Sequence, residues 1–450
     1  MIPMTVADIA EVVAGTVHGD PTRRVTAAAD VDSRAVEPGG LFVAIAGERV
    51  DGHDYAAAAL ESGAAAVLAS RPVDGPCIVV DDATVALGRL ARHVLDRLDA
   101  TVVAITGSQG KTSVKDLATH LLGVHGADVV ATRGNNNNEL GVPLTVLRAT
   151  GTTRALVVEM GARGIGHIAR LCRVAPPHVA VALNVGSAHL GEFGSVENIA
   201  RAKGEIIENL RPGGTAVLNA DDHRVRAMAD RRPPGTSVRW FGRGSDADVR
   251  VLDVRVDAAG EPDVDLDVEG RPCHVHVPLV GSHHAVNLAA AVAIARSVDP
   301  DAPLPTLAGY ASPSPMRMQR HRRDDGLVII DDSYNANPES VLAALRAVAD
   351  TTAGRRVAVL GEMLELGADA HAEHVRVGRE AAALGLDRVV VVGKDARGIA
   401  EGAGDVAVPV DDVVAALADL ASWLRPDDLV LVKASRGARL ERVTEGLLGR

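Results

Sequence analysis

Thr101-Val102-Val103-Ala104-Ile105-Thr106-Gly107-Ser108-Gln109-Gly110-Lys111-Thr112-Ser113 is the stretch on which the reading of this chain turns. Its first six residues form an apolar, β-branched run of the kind that is buried on both faces of a parallel sheet. Gly107 interrupts the run, and residues 111–122 continue with helical periodicity. Gly107 and Gly110 let backbone N–H groups turn towards an anion, and the start of the next helix adds positive potential. Lys111 neutralises terminal phosphates and Thr112 offers a hydroxyl to Mg²⁺. Ile105 stands where the usual G-x-x-x-x-G-K-[ST] loop has its first glycine, which leaves the shorter G-x-x-G-K-T. A plain glycine turn is the alternative. The strand before and the helix after favour a phosphate site built from Gly107, Ser108, Gln109, Gly110, Lys111, Thr112 and Ser113.

Working outward, apolar runs at 155–158, 179–183 and 216–218, with helical stretches between them, predict a mainly parallel sheet covered on both faces. Residues 246–280 change to polar/apolar alternation through Val249, Val251, Val254, Val264, Leu266 and Val268, which predicts a half-exposed antiparallel insert. An Ala-rich helix at 286–295 closes this unit. Upstream, helical patterns at 6–14 and 55–62 alternate with extended ones at 40–45, 65–68 and 77–80, giving a small α/β domain that ends in a helix near Leu98. Downstream, Pro300, Pro303, Pro305, Pro313 and Pro315 exclude regular structure and mark a linker. Strand and helix patterns then alternate through 327–330, 341–348, 356–360, 374–383, 388–392 and 429–432, predicting a Rossmann-like domain. The fold class is therefore α/β in three domains, 1–98, 99–312 and 313–450.

The 450 residues suffice for about three domains, each able to bury its own core. A formal charge of −12 argues against a dedicated nucleic-acid binder. With two Trp, three Tyr and three Phe, the cores must be built from Val, Leu, Ile and Ala, and aromatic platforms for RNA are excluded. Cys77, Cys172 and Cys273 are too far apart in sequence for metal-ligand spacing, so reduced thiols in a cytoplasmic chain are expected. No basic-then-apolar leader opens the chain, and no run approaches the ~18 apolar residues of a bilayer span, so neither secretion nor membrane association is expected.

Four further positions carry candidate chemistry. Lys203 falls in the apolar stripe of a helix at 195–210, together with Val196, Ile199, Ala200, Ile206, Ile207 and Leu210. It is either a stem that snorkels its ammonium to water or a desolvated amine of lowered pKa beside phosphate or metal. Glu159 and His189 each follow a strand, on the sheet edge where the phosphate loop must also lie, and with Thr112 they form a candidate Mg²⁺ set. Asp331-Asp332 ends a strand in the same way, although an Asx-turn explains it equally well. His283-His284 and His371 with His374 are read as belonging to helix starts and solvated faces, with no zinc site.

Taken together these motifs resemble the Mur ligase superfamily, over essentially the whole chain. Asp32-Ser33-Arg34, Pro38-Gly39-Gly40-Leu41-Phe42-Val43-Ala44 and Asp51-Gly52-His53-Asp54 resemble its uridine-nucleotide domain, and the short phosphate loop is the superfamily's own form. Asn135 to Asn138 with Glu139-Leu140-Gly141-Val142-Pro143-Leu144-Thr145 is similar to its N-x-N-N-x-x-G-V-P-x-T stretch. Ser187-Ala188-His189 and Ala202-Lys203-Gly204-Glu205 match the region of its Mg²⁺ histidine and carbamylated lysine. Asp332-Ser333-Tyr334-Asn335-Ala336-Asn337-Pro338 resembles the branch that adds D-Ala-D-Ala, as do residues 360–367 and Lys433-Ala434-Ser435-Arg436-Gly437. Two departures are conservative: Glu at 362 where Asp is often found, and Ala434 where Gly is commoner. The Asp-Asn-Pro-Arg motif of the diamino-acid-adding branch is absent.

The resemblance implies an ATP-dependent ligase of peptidoglycan synthesis, acting as a monomer on UDP-N-acetylmuramoyl-tripeptide and D-Ala-D-Ala through an acyl phosphate. Two Mg²⁺ ions are implied, one held by Thr112 and Glu159, the other by His189 and Lys203 carbamylated by CO₂. It assigns Asn287 to adenine, Asp332 to ribose, Arg317 to the nucleotide across the linker, and Ser33 and Arg34 to the uridine diphosphate. Asn137 and Asn138 fall to the substrate, and Tyr334, Asn335 and Ser435 to the dipeptide. Lys111, Lys203, His189 and Arg317 are the implied catalytic set, completed when the C-terminal domain swings in. A sister ligase such as a folylpolyglutamate synthase, and a nucleotide switch without ligation, are the competing readings.

Overall fold

The computed structural model describes residues 1–47, 50–124, 126–187 and 190–449. The elements form an N-terminal five-stranded sheet with a two-stranded satellite, a central nine-stranded sheet and a C-terminal six-stranded sheet. In the central sheet the order is Arg271–His276, Pro262–Val268, Val249–Val256, Ser237–Gly242, Thr215–Asn219, Val179–Ala182, Thr101–Thr106, Ala155–Glu159 and Val129–Ala131. The chain leaves Thr101–Thr106 for the far edge, returns beside it at Ala155–Glu159, then crosses to its other flank at Val179–Ala182. A switch of direction at one strand opens a crevice at the carboxyl ends, where ligands bind in such sheets. Register puts Glu159 opposite Ile105 and Ala182 opposite Thr106, so the two flanking strands end level with the phosphate loop.

The antiparallel insert is present, but it is continuous with the main sheet. Ser237–Gly242 pairs in parallel with Val249–Val256 over two residues, Phe241 with Val249 and Gly242 with Arg250, before the chain reverses through two antiparallel pairings. The Ala-rich helix His284–Val298 packs against Lys111–Val124. Its buried face of Ala285, Ala289, Ala293 and Leu288 keeps the interhelical gap small. No helix or strand occupies the span from Val298 to Gln319, as the prolines require.

In the C-terminal sheet Gln319–Arg322 pairs antiparallel with Val328–Asp331, and the strands beyond it, Leu429–Lys433, Arg356–Leu360, Arg388–Val392 and Ala407–Val410, run parallel. The Asn-Ala-Asn-Pro stretch is a helix start: Asn337 accepts from the Ser340 N–H at 2.9 Å, Ser340 returns the bond, and Pro338 supplies the preset first-turn φ of Pro338–Asp350. One apolar cluster spans the N-terminal and central units, because Ala83–Leu95 packs its Leu87, Leu90 and Val94 against Gly141–Val146 and His167–Val174. Among the described residues no helix is long and apolar enough to cross a membrane.

His283 and His284 stand at the start of His284–Val298 and His371 in the first turn of Ala370–Ala383, as expected, but two of these histidines are buried where a solvated face was the other expectation. His284 is buried and stacks on His283 with ring centroids 4.2 Å apart. His374 is buried too, taking the Met363 N–H at Nε2 (3.0 Å) and donating through Nδ1 to the Ala370 carbonyl (2.6 Å). Only His371 of these four is solvated, opposite Glu401. Helical periodicity does not distinguish a histidine whose two nitrogens are satisfied inside the core from one facing water.

Candidate active site

The phosphate loop is held from the neighbouring strand end. Asn184, two residues beyond Val179–Ala182, accepts the Ser108 N–H with its carbonyl (3.1 Å) and the Gln109 N–H with Oδ1 (3.0 Å), and donates Nδ2 to the Gln109 carbonyl (3.2 Å). Gly186 N–H donates to Ser108 Oγ at 2.8 Å. Gly110 adopts φ +81°, and a Cβ there would stand 2.9 Å from Asn287 Oδ1. Glycine is needed on both counts, for the left-handed backbone and for the close approach. Asn287, in the first turn of His284–Val298, is thus set against the loop. Lys111 folds back so that Nζ donates to the Gly107 carbonyl at 2.6 Å, and Thr112 and Ser113 occupy the first helical turn, whose N–H groups have no intrahelical acceptor.

Glu159 is 2 % exposed at the end of its strand. Burial pushes its carboxyl pKa up, and Lys115, Lys111, Arg317 and a hydrogen bond from Thr112 oppose that rise. Its Oε1 has no hydrogen-bond partner. A buried carboxylate oxygen without a donor, beside a threonine hydroxyl, is a donor set suited to a hard divalent cation. Lys203 is 4 % exposed within Val196–Glu208, a helix capped by Ser195 through the Asn198 N–H. Its pKa is driven well below the ordinary lysine value, first by burial and then by Lys111. The amine is therefore desolvated and does not snorkel. Next to it, Gly204 leaves room for Arg231, whose guanidinium would meet a Cβ at 1.8 Å while bonding the Arg201 carbonyl (2.9 Å). Glu205 turns away to cap His167–Val174 through the Gly166 and Ala169 N–H groups. His189 lies outside the described residues.

The C-terminal domain contributes Arg317. Its guanidinium lies over the Tyr334 ring at 4.1 Å, and its charge acts on Lys111, Glu159 and Lys433. Met316 and Met318 on either side of it have φ of +56° and +51°, a left-handed backbone that non-glycine residues seldom adopt. The bend is held by Met318 N–H to Asp332 Oδ1 (3.2 Å) and Tyr334 N–H to the Met316 carbonyl (3.3 Å). Asp332 also takes Lys433 Nζ at 2.5 Å, a pair buried at the sheet edge, so a ribose hydroxyl would add to bonds already in place. Asp331 makes the Asx-turn, to Ser333 N–H at 3.0 Å.

Several predicted residues have structural duties or lie elsewhere. Asn138 spends Oδ1 on the Leu140 and Gly141 N–H groups at the start of Gly141–Val146, while Asn137 packs its carboxamide on Gly161, two residues from Glu159. Ser435 is 3 % exposed and its hydroxyl is committed, accepting from the Leu364 N–H (2.9 Å) and donating to the Ala336 carbonyl (3.3 Å). Asn335 is exposed, and its carbonyl accepts from Lys433. Ser33 and Arg34 belong to the N-terminal unit. Ser33 is buried; Arg34 pairs with Asp32 at 2.7 Å and holds that carboxyl down at about 2.

Three residues escape sequence reading. Asn184 positions the loop. Lys115, one helical turn beyond Lys111, is buried, pairs with Asp116 (2.6 Å) and donates to the Thr132 carbonyl (3.0 Å), while Thr132 Oγ1 accepts the Glu159 N–H (3.0 Å). Glu339 crosses from the C-terminal domain to Ser187. Of these only Asn184 carried a signal, its place directly after an apolar strand.

Comparison with known proteins agrees with this geometry. Family models described as "Mur ligase family, catalytic domain", "Mur ligase middle domain" and "Mur ligase, glutamate ligase domain" match residues 29–94, 105–295 and 316–436. The UDP-N-acetylmuramoyl-tripeptide–D-alanyl-D-alanine ligase of Mycobacterium tuberculosis is 44% identical over 100% of this chain and 98% of its own length. A crystal structure of MurF from Acinetobacter baumannii superposes with a TM-score of 0.88 at 30% identity, covering 100% of both chains. MurF ligase from Thermotoga maritima, solved in complex with ADP, gives a TM-score of 0.79 at 32% identity, covering 94% of this chain and 97% of that one.

Proposed function

The chain belongs to the Mur ligase family, and we propose that it joins D-Ala-D-Ala to UDP-N-acetylmuramoyl-tripeptide, with ATP converted to ADP and phosphate, giving the pentapeptide precursor of peptidoglycan. One observation carries this reading: Lys115, Lys111 and Arg317 act from two domains on one buried carboxylate, Glu159, and Lys203 is buried within electrostatic reach of Lys111, although these cations repel one another. Such a cluster is relieved by a polyanion. Attack of a carboxylate on a triphosphate brings anions together, and preorganised cations at the point of meeting lower that barrier.

In the reaction the tripeptide carboxylate attacks the γ-phosphorus, ADP leaves, and the dipeptide amine displaces phosphate from the resulting acyl phosphate. Lys111 exchanges the Gly107 carbonyl for phosphate oxygen. Arg317, fixed over Tyr334, faces the same charge from the other domain. Asn287 borders the loop on the side we assign to adenine, and we assign Asp332, at the edge of the C-terminal sheet, to the ribose. Thr112 and Glu159 are the ligands we propose for one Mg²⁺, and His189 with carbamylated Lys203 for the second. When bound, these ions supply charge neutralisation and polarisation of the phosphoryl group. Burial lowers the Lys203 pKa and so favours the unprotonated amine whose lone pair CO₂ needs, and the carbamate formed would place an anion beside Lys111. We place the domain boundaries at 98/99 and 312/313, and assign Ser33 and Arg34 to the uridine diphosphate.

The test is a reaction with tripeptide labelled by ¹⁸O in its terminal carboxylate. A nucleotide product heavier by one D-Ala-D-Ala less water, with label in the released phosphate, is expected. An unchanged nucleotide, or unlabelled phosphate, would overturn the assignment.

A further inference from the structure

Glu339 is the second residue of Pro338–Asp350, and an acid in a first helical turn ordinarily serves only the helix dipole. Here its side chain instead reaches the central domain. Ser187 Oγ lies 2.8 Å from Glu339 Oε1 and 2.9 Å from Oε2 and donates to that carboxylate, and the Ser187 N–H donates to Oε1 at 3.2 Å. No cation among the described residues pairs with Glu339, so both of its acceptors are directed at one residue of the other domain. Ser187 is adjacent to Gly186, whose Cα lies so near the carboxylate that an added Cβ would stand 3.3 Å from Glu339 Cδ. Gly186 in turn donates to Ser108 Oγ in the phosphate loop at 2.8 Å and accepts from it at 3.4 Å. A continuous path, made of the Glu339–Ser187 hydrogen bonds, the peptide link from Ser187 to Gly186 and the Gly186–Ser108 hydrogen bonds, therefore joins the first turn of a C-terminal-domain helix to the loop that would hold the nucleotide. A second interdomain contact, Gly191 N–H to the Glu365 carbonyl at 3.1 Å, lies a few residues further along the same segment.

We propose that Glu339 is a positioning residue that couples docking of the C-terminal domain to the shape of the phosphate loop, acting through Ser187, Gly186 and Ser108. The inference rests on the nucleotide-binding reading of that loop. It makes the loop's competence depend on the same domain contact that brings Arg317 to Glu159, so an undocked C-terminal domain leaves both halves of the site unformed.

The test compares the full chain with E339A, E339Q, S187A and the E339A/S187A double variant. Two readouts are taken: interdomain distance by fluorescence transfer without ligand, and the affinity for ADP by calorimetry. E339A and S187A should each lengthen the distance and weaken ADP binding several-fold. The double variant should be no worse than the weaker single, because one line is cut twice. E339Q, whose amide oxygen still accepts from Ser187, should fall between wild type and E339A. Multiplying losses in the double variant, an unchanged distance, or tighter ADP binding in E339A would overturn the proposal, the last because Glu339 would then act only as a charge repelling phosphate. Failure of the wild-type chain to bind ADP would instead overturn the nucleotide reading on which the proposal stands.

Discussion

Replacing Lys115 by Met tests the buried charge that underlies the site. The Lys115 and Asp116 side chains are 4% and 3% exposed and 2.6 Å apart, and Lys115 Nζ makes its remaining bond to the Thr132 carbonyl at 3.0 Å. In K115M the Asp116 carboxylate stays in the core without its cation. Removing one partner of a buried pair costs about 3–5 kcal/mol. At roughly 2–4 °C per kcal/mol for a domain of this size, the melting transition of the central domain should drop by roughly 10 °C. Asp116 Oδ2 has no hydrogen-bond partner even in the wild type, so the pair is not fully compensated. K115M/D116L, which removes both charges, should therefore recover most of the loss. Scanning calorimetry of the three proteins reads both the loss and the recovery. A K115M transition within about 2 °C of wild type, or a double variant as unstable as the single, would refute the reasoning.

Lys203→Ala should lower kcat by about 10²–10³-fold while the ADP affinity stays within a few-fold, as expected for a group acting on developing charge; equal losses in both would assign it to nucleotide binding. Gly110→Ala places a side chain at φ +81° and 2.9 Å from Asn287 Oδ1, so ADP should bind about tenfold more weakly, for a local cost of ~1–2 kcal/mol; unchanged calorimetric affinity would contradict the close approach. Gly204→Ala should displace Arg231 and cost activity together with stability, seen as a lower melting temperature alongside a lower rate. Burial lowers the His283 pKa to about 4. The folded state favours its neutral form, so this stability is complete above the unfolded value near 6.5 and is lost as pH falls towards 4. That amounts to at most ~3 kcal/mol, and His283→Gln should flatten the melting temperature over that window.

Much of this arrangement was legible because a strand that ends at a sheet's carboxyl edge announces itself. Thr101–Thr106, Ala155–Glu159 and Val328–Asp331 are short apolar runs stopped by glycine or acid, and Lys111, Glu159 and Asp332 follow from their ends. Lys203 was legible as an anomaly, a cation in an apolar stripe, and its burial resolves the choice that periodicity left open. What stayed hidden depends on side chains meeting across long separations. Nothing near Lys115 shows that the Thr132 carbonyl will meet it, and Glu339 looks like any acid opening a helix. Asn138 and Ser435 were drawn into the site by their motifs, but backbone N–H groups already occupy the Asn138 carboxamide oxygen and the Ser435 hydroxyl. The insert at 246–280 showed its alternation correctly, whereas its parallel junction of two residue pairs at Phe241 and Gly242 is too short to leave a pattern.

Phosphate release from ATP and Mg²⁺ with UDP-N-acetylmuramoyl-tripeptide, measured with D-Ala-D-Ala, with D-Ala alone and with no amine, tests the assigned reaction most directly. Release that requires the dipeptide is predicted. Release indifferent to the amine, or absent with every amine, would contradict a site built to pass an activated carboxylate to D-Ala-D-Ala.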